Sequence, residues 1–221
     1  MIKVEELAPN GIKVFQDDCG YCFTSDAILL SHFATVKKGD NIADFCSGSG
    51  VIAFNIYSQY PNLIQSATLF EMQSSLYSLS LQSIKENNLQ DKFCAHNVKI
   101  QEIDHTFNQS FSLITCNPPY MKSDSGDSKE NPEIAVCRKE LCLDLQQLIS
   151  SVSRCLKFGG RFAMVHRAER LADAFALMRN FNIEPKRLQL VQAKNKAPYL
   201  FMVEGVKGGK AGLSVLPNLV N

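Results

Sequence analysis

Short apolar runs with the length of β-strands alternate with helix-like segments along most of the chain, and this order constrains the fold more than any other feature. The strands of the predicted core lie at about 41–45, 67–70, 92–96, 111–116 and 161–166. Such alternation is typical of a parallel sheet with helices on both faces. We therefore expect a doubly wound α/β domain that binds its ligands at the carboxyl ends of its strands.

Polar residues directly follow the first four of these strands. The loop 46–50 comes after the first strand, Glu71 ends the second, Asn97 follows the third, and the segment 117–120 follows the fourth. Because parallel strands end at the same edge of a sheet, we expect these residues to line one crevice.

The loop after the first strand has the chemistry of a site for an adenosine cofactor. Asp44 is at the strand end, and Gly48 and Gly50 allow a tight turn in which backbone N–H groups approach a ligand. At the end of the next strand, the Glu71 carboxylate can accept both hydroxyls of a ribose. Gly48, Gly50 and Ala53 also satisfy the dinucleotide fingerprint, so this motif by itself leaves an NAD site open.

Asp44 favours a cationic ligand over a phosphate. A carboxylate directed into a phosphate-binding loop would repel its ligand. S-adenosyl-L-methionine carries a sulfonium and an ammonium group and no phosphate, so we expect it to be the cofactor.

The segment Asn117-Pro118-Pro119-Tyr120 is the most informative about chemistry. Two consecutive prolines fix two φ angles and remove two backbone donors, so the chain leaving the strand is stiff. The segment presents carbonyl acceptors, one amide side chain and one aromatic face. This set suits a planar ligand that carries an NH2 group.

The composition is that of a globular domain. The chain has 221 residues, of which 45% are hydrophobic and 20% charged, and this length suits one domain or a domain with a small appendage. We see neither a signal-peptide pattern nor an apolar run of membrane-spanning length, and we expect a cytoplasmic protein that does not enter a membrane. Cys19 and Cys22 form a CxxC pair without a second such pair, so we expect no metal.

Charge is unevenly distributed along the chain. Residues 151–221 contain 12 Lys and Arg against 4 Asp and Glu, although the net charge of the whole chain is only +1. A basic segment beside an acidic remainder can orient a polyanion. An ordinary solvated surface explains the same pattern, so charge alone leaves both interpretations open.

These motifs together resemble the cofactor and catalytic motifs of Rossmann-like amino-methyltransferases over about residues 20–205. More closely, the chain resembles the bacterial tRNA(Val) adenine-N6 methyltransferase family, which modifies the purine beside the anticodon. The segments that carry this closer resemblance are 23–30, 166–171, 183–188 and 204–210. The resemblance implies a class I methyltransferase fold with an antiparallel last strand, a short N-terminal hairpin and helix, and a tRNA substrate.

The resemblance also implies roles for individual residues. The implied cofactor-binding residues are Thr24, Asp44, Ser47, Gly48, Gly50, Glu71, Met72, Asn97 and Asn117, and the implied catalytic residues are Asn117, Pro118, Pro119 and Tyr120. The Asn117 side-chain oxygen and the Pro118 carbonyl would accept the amine hydrogens of adenine, and Tyr120 would stack on the base. Asn97 departs from the family pattern, which usually has an acidic residue there. The expected phosphate contacts are drawn from Arg167, Arg170, Lys186, Arg187, Lys207 and Lys210.

Other substrates fit the same tetrapeptide. N-methylation of a protein glutamine, of the release-factor type, is the first alternative, because an amide nitrogen can occupy the same acceptors. Adenine-N6 methylation of ribosomal RNA or DNA is the next.

We expect one methyltransferase domain, with an N-terminal extension at 1–36, a core at 37–206 and a tail at 207–221. Locally, the sequence predicts a hairpin over 12–23, a helix over 138–157, and a polar segment at 121–132 that is a candidate lid. The oligomeric state stays open between a monomer and a weak dimer.

Overall fold

A twisted central sheet organises the chain in the computed structural model, which describes residues 2–17, 25–119 and 144–221. Before it, β1 (Ile2–Leu7) and β2 (Ile12–Asp17) form a separate antiparallel hairpin. Thr24 and Tyr120, the CxxC pair and the polar segment 121–132 lie outside the described residues.

The core of the sheet is parallel. Its strands are β3 (Asp40–Phe45), β4 (Ile64–Glu71), β5 (Phe93–Asn97), β6 (Phe111–Cys116) and β7 (Leu156–Arg167). Next come β8 (Ile183–Gln192) and β9 (Pro198–Lys207), and β9 lies between β7 and β8, antiparallel to both. Two short strands, β10 (Ser214–Val215) and β11 (Leu219–Val220), both pair with β8. Within the described residues the strand order is β10-β8-β9-β7-β6-β3-β4-β5.

Helices cover both faces of this sheet. They are α1 (Ser25–Phe33), α2 (Val51–Gln59), α3 (Ser74–Glu86), α4 (Leu145–Cys155) and α5 (Leu171–Asn180). One apolar cluster joins α1 and α2 to inward residues such as Ile42 and Leu69, and a second joins α4 and α5 to Ile114 and Phe162. The prediction of a doubly wound, mostly parallel sheet with an antiparallel last core strand is confirmed.

Three local features differ from the sequence analysis or extend it. The β1–β2 hairpin, with its turn at residues 8–11 and a φ of 64° at Gly11, was not predicted. The turn predicted within the 12–23 hairpin lies largely outside the described residues. Helix α4 begins at Leu145, because the Asp144 carboxylate accepts a hydrogen bond from the Gln146 N–H and caps the first turn. The segment 207–221, which the sequence analysis set apart as a tail, contains β10 and β11, and its Leu216 and Leu219 pack against the core.

A buried ion pair fixes the amino ends of three core strands. Arg161 Nη2 of β7 lies 2.5 Å from Asp40 Oδ1 of β3, and both side chains are almost fully buried. The same Asp40 oxygen accepts from Ser112 Oγ of β6 at 2.7 Å, and its second oxygen accepts from the Lys37 N–H. Because one carboxylate joins β3, β6 and β7 here, the opposite ends of these strands are held in register.

Replacing Asp40 with alanine should lower the free energy of unfolding by ~3–5 kcal/mol, because the buried Arg161 guanidinium would lose its counter-charge. Urea denaturation measures this. Lys38→Ala is the matched control at the neighbouring exposed position, with an expected change within about 0.5 kcal/mol. Equal losses in the two variants would contradict the stabilising role of the Asp40–Arg161 ion pair.

Candidate active site

The loop between β3 and α2 is a tight turn built on left-handed backbone. Cys46 and Gly48 both have a φ of 56°, and Gly50 has a φ of 89°. The Ser47 N–H donates to the Phe70 carbonyl of β4 at 3.1 Å, and the Gly50 N–H donates to the Ser47 carbonyl at 2.8 Å. The loop therefore stays against the neighbouring strand and delivers the chain directly into α2.

Gly50 is required for two separate reasons. Its φ lies where L side chains are strained, and a Cβ atom there would lie 2.7 Å from the Phe54 ring and 2.8 Å from Leu69 Cδ1. Both neighbours are buried in the core. A side chain at this position would push α2 away from the sheet.

The substitution Gly50→Ala should therefore destabilise the protein through backbone strain of ~1–2 kcal/mol and overpacking of ~1–3 kcal/mol. Gly39→Ala is the matched control, because Gly39 has a φ of 82° and no atom within 4 Å of the added Cβ. Thermal or urea unfolding should show the larger loss for Gly50→Ala. Indistinguishable losses would mean that crowding at Gly50 is relieved without cost.

Glu71 ties this loop to the next one. Its carboxylate is 5% exposed, and its two oxygens accept hydrogen bonds from the Gly48 N–H and the Gln73 N–H, each at 2.8 Å. Burial raises the pKa of Glu71, and these backbone donors oppose that rise. The sequence predicted Glu71 as a ribose ligand, and the structure reveals a bracing role between two loops that the sequence did not indicate.

Asn97 lies beside Glu71, as the register of β4 and β5 requires. Its amide nitrogen donates to the Glu71 carbonyl at 2.8 Å and to the Met72 carbonyl at 2.9 Å. An acidic side chain could not make these two bonds, because a carboxylate has no donor. The departure from the family pattern therefore has a local structural use: Asn97 holds the chain at Met72.

Asp44 is the most unusual group at this edge. It is fully buried, and its Oδ1 accepts from Thr115 Oγ1 of β6 at 2.8 Å. Its Oδ2, like the buried Ser47 Oγ, has no hydrogen-bond partner among the described residues. Burial raises the pKa of Asp44 to about 7, although the hydrogen bond from the Thr115 hydroxyl lowers it in part.

These two buried polar atoms fit the expected cofactor. An unpaired buried carboxylate is costly, and a ligand that brings positive charge or hydrogen-bond donors removes the cost. A phosphate would increase it. The ammonium and sulfonium of S-adenosyl-L-methionine have the required charge, so the residues present suit that cofactor better than a dinucleotide.

Because the folded state holds the Asp44 proton more tightly than the unfolded chain does, this group's contribution to stability falls as pH rises from 3.8 towards about 7. Affinity for a cationic ligand should change in the opposite direction. Calorimetric titration with S-adenosyl-L-methionine should show affinity that rises with pH by up to about tenfold per unit below the pKa and then levels off.

Asp44→Asn should remove most of that pH dependence, because the asparagine cannot ionise. Asp104→Asn, at an exposed position distant from this edge along the chain, is the matched control and should keep it. If cofactor affinity still depends on pH in Asp44→Asn, the dependence arises from another titrating group.

The strand β6 delivers the tetrapeptide next to this loop. Phe45 of β3 pairs with Cys116 of β6, so Asn117 begins immediately beyond the paired region and beside Cys46. Asn117 is half-buried, Pro118 is buried and Pro119 is exposed. Asn117 thus lies one strand away from Asp44, at the edge of the sheet where the sequence analysis expected the site.

Two groups of this region were missed by the sequence analysis. Thr115 holds the Asp44 carboxylate, and its place opposite Asp44 follows from the pairing of β3 with β6. Cys116 is buried beside the Cys46 thiol, and burial raises the pKa of Cys116 well above its usual value. The neutral Cys116 thiol therefore acts as core packing under Asn117. A hydroxyl or thiol in an apolar strand gives no sequence signal of its own.

The structure separates the predicted phosphate contacts into two groups. Arg167 and Arg170 lie at the carboxyl end of β7, at the same edge as Asn117. The other four lie towards the opposite edge: Lys186, Arg187, Lys207 and Lys210.

Two residues of the second group have structural roles. Arg187 stacks 4.7 Å over the Phe33 ring and donates to Thr35 Oγ1 at 2.6 Å. Lys207 Nζ donates to the carbonyls of Ser153 and Leu156 at the end of α4. These bonds occupy both cations, so we no longer count either one as a phosphate contact.

The part of the chain that the structure describes contains neither a metal-binding cluster nor a membrane-spanning helix. Within those ranges, no cluster of three or more His, Cys, Asp or Glu side chains is arranged to hold a metal ion. None of the helices described there is long and apolar enough to cross a membrane.

Comparison of the sequence with known protein families identifies one that matches most of the chain. Residues 23–195 match the family described as "Methyltransferase small domain". The chain belongs to this family. The matched range includes every strand and loop of the candidate site, from Asp44 to Asn117.

Curated relatives of this methyltransferase family are named tRNA1(Val) (adenine(37)-N6)-methyltransferase. The relative from Dyadobacter fermentans is 24% identical over 149 residues, which are 67% of this chain and 60% of the relative. The relative from Haemophilus influenzae is 28% identical over 125 residues, 57% of this chain and 53% of the relative. The relative from Shewanella loihica is 25% identical over 203 residues, 86% of this chain and 79% of the relative. The chain thus spans little more than half the length of the first two.

Solved methyltransferase structures share the fold. A predicted O-methyltransferase from Agrobacterium tumefaciens aligns with a TM-score of 0.69 at 16% identity, over 88% of this chain and 86% of the other. A tRNA m1G37 methyltransferase from M. jannaschii aligns with a TM-score of 0.66 at 15% identity, over 95% of this chain and 55% of the other. At such identities the likeness concerns the fold alone.

Proposed function

We propose that the protein is an S-adenosyl-L-methionine-dependent methyltransferase that methylates N6 of an adenine in tRNA, and that its target is the anticodon-loop purine of tRNA(Val). The observation that carries the proposal is the buried, partly unpaired Asp44 carboxylate one strand away from Asn117 and Pro118. The names of the curated relatives support the choice of substrate. A tRNA substrate also implies a cytoplasmic protein.

The cofactor would be held at the ends of β3, β4 and β5. S-adenosyl-L-methionine supplies an electrophilic methyl group on a cationic sulfonium. Asp44 and Ser47 offer buried acceptors to its charged part, and Glu71 retains acceptor capacity beyond its two backbone bonds. Gly48, Gly50, Met72, Asn97 and Thr24 complete the proposed cofactor-binding set, with Asn117 at the boundary towards the substrate.

Asn117 and Pro118 would prepare the nucleophile. The lone pair of an adenine amine is delocalised into the ring, which makes the amine a poor nucleophile. If the Asn117 side-chain oxygen and the Pro118 carbonyl accept its two hydrogens, the nitrogen becomes more tetrahedral and the lone pair is localised. Such positioning is worth ~7–11 kcal/mol in favourable intramolecular reactions. The proline pair keeps these acceptors rigid.

Access of the base also fits this site. An enzyme that acts on a base must take it out of its stack, and an unpaired loop purine leaves its stack at low energetic cost. We assign Tyr120 the task of stacking on the extruded base, with Pro119 beside it.

Replacing Asn117 with alanine should lower turnover by about 100-fold or more, because the amine would lose one of its two acceptors. Cofactor affinity should change little. The assay is transfer of labelled methyl groups from S-adenosyl-L-methionine to unmodified tRNA(Val), followed by digestion to nucleosides. Asn62→Ala, an exposed position between α2 and β4, is the matched control and should retain activity.

Parallel substrates separate the alternatives. Ribosomal RNA, duplex DNA and a release-factor protein are offered with the same labelled cofactor. Label in N6-methyladenosine of tRNA supports the proposal, and label in a protein glutamine moves the target to an amide nitrogen. Normal turnover by Asn117→Ala would refute the role of the tetrapeptide.

A further inference from the structure

The turn between β8 and β9 projects two lysines at the edge of the sheet that carries the site. The turn is closed by a hydrogen bond of 3.0 Å from the Lys196 N–H to the Ala193 carbonyl, and Asn195 has a φ of 58°. Lys194 and Lys196 are both exposed, and neither has an ion-pair partner among the described residues. The sequence analysis did not select either lysine.

Two arginines lie next to this turn. Arg167 at the end of β7 pairs with Leu200 of β9, so the turn begins about two residues, or roughly 7 Å, further along the strand direction. Arg167 contacts Glu169 at 3.3 Å and Arg170 contacts Asp173 at 2.9 Å, and all four side chains are substantially exposed. Exposed pairs of this kind are weak, so a phosphate can replace the carboxylate. We call Arg167, Arg170, Lys194 and Lys196 the hairpin-tip surface.

The hairpin-tip surface lies on the substrate side of the site. In the strand order, β7, β9 and β8 extend from β6 in one direction, whereas the cofactor-binding candidates lie on β3, β4 and β5 in the other. Asn117 follows β6, between the two halves. A macromolecule that presents a base to Asn117 without covering the cofactor must therefore extend over β7, β9 and β8.

The chemistry of this surface favours nucleic acid. It has four cations, and Tyr199, the second residue of β9 after the turn, is 43% exposed. Cationic side chains with an exposed aromatic ring are the usual means of holding a single-stranded backbone and its bases.

We propose that the hairpin-tip surface binds the phosphate backbone of the tRNA and orients its loop over Asn117. This inference rests on the proposed function. The tip lysines act on substrate affinity, with no part in cofactor binding.

The test compares two double charge reversals of the complete chain. Lys194→Glu with Lys196→Glu changes the tip, and Lys38→Glu with Lys157→Glu makes the same charge change at exposed positions near the amino ends of β3 and β7. The probe is an unmodified tRNA(Val) transcript, with binding measured at several salt concentrations. Calorimetry with S-adenosyl-L-methionine and a thermal unfolding scan check that both proteins are folded.

The tip variant should bind the transcript about tenfold or more weakly, with a salt dependence reduced by up to two phosphate contacts. The control should stay within about threefold of the unaltered protein. Cofactor affinity should be unchanged in both. If the tip reversal unfolds the protein, Lys194→Ala with Lys196→Ala replaces it, with a smaller loss in the same direction.

Equal losses in the tip and control variants would overturn the inference, because they would reflect net charge alone. An active protein whose tip variant binds tRNA normally would overturn it while leaving the proposed function intact. If the unaltered protein binds the cofactor but methylates no tRNA and methylates the release-factor protein instead, the proposed substrate fails and the inference falls with it.

Discussion

The Glu71 carboxylate is the interaction on which the geometry of the site depends. Its two oxygens accept the N–H groups of Gly48 and Gln73, so one side chain holds both loops that would surround the cofactor. Asn97 adds two further bonds to the carbonyls of Glu71 and Met72. The edge is therefore set before a ligand arrives, and a ligand that binds there loses little freedom of the protein chain.

Asp44 lowers the stability of the ligand-free protein, as polar groups held ready for a ligand do. A buried carboxylate with one partnered and one unpartnered oxygen costs free energy in the ligand-free protein. The burial of the two apolar clusters on either side of the sheet offsets that cost. Strongly shifted pKa values of this kind cluster at functional sites. Asp44 has both a raised pKa and a position one strand away from Asn117, and both are expected of a group in the proposed site.

Basic residues near the C-terminus show why charge patterns need a fold to be interpreted. In the sequence they form one basic segment, which suggests a single surface. In the structure, Arg167 and Lys194 lie at the edge of the site, whereas Lys207 binds the carbonyls at the end of α4 and Arg187 packs on Phe33. Antiparallel pairing of β8 with β9 causes this separation, because it sends residues close in sequence to opposite ends of the sheet.

Several properties followed from the sequence alone: the parallel doubly wound core, the glycine turn after β3, the stiffness of the Asn117–Pro119 segment, and the meeting of four strand ends at one edge. These depend on local periodicity and on backbone restrictions of Gly and Pro, which a sequence states directly. Only the tertiary structure decided that the Glu71 oxygens brace two loops, that Thr115 holds Asp44, and that the turn with Lys194 and Lys196 precedes the end of β9 that pairs with Arg167. Each of these facts depends on which strands are neighbours, and strand order is set by long-range packing of buried faces that no local pattern records.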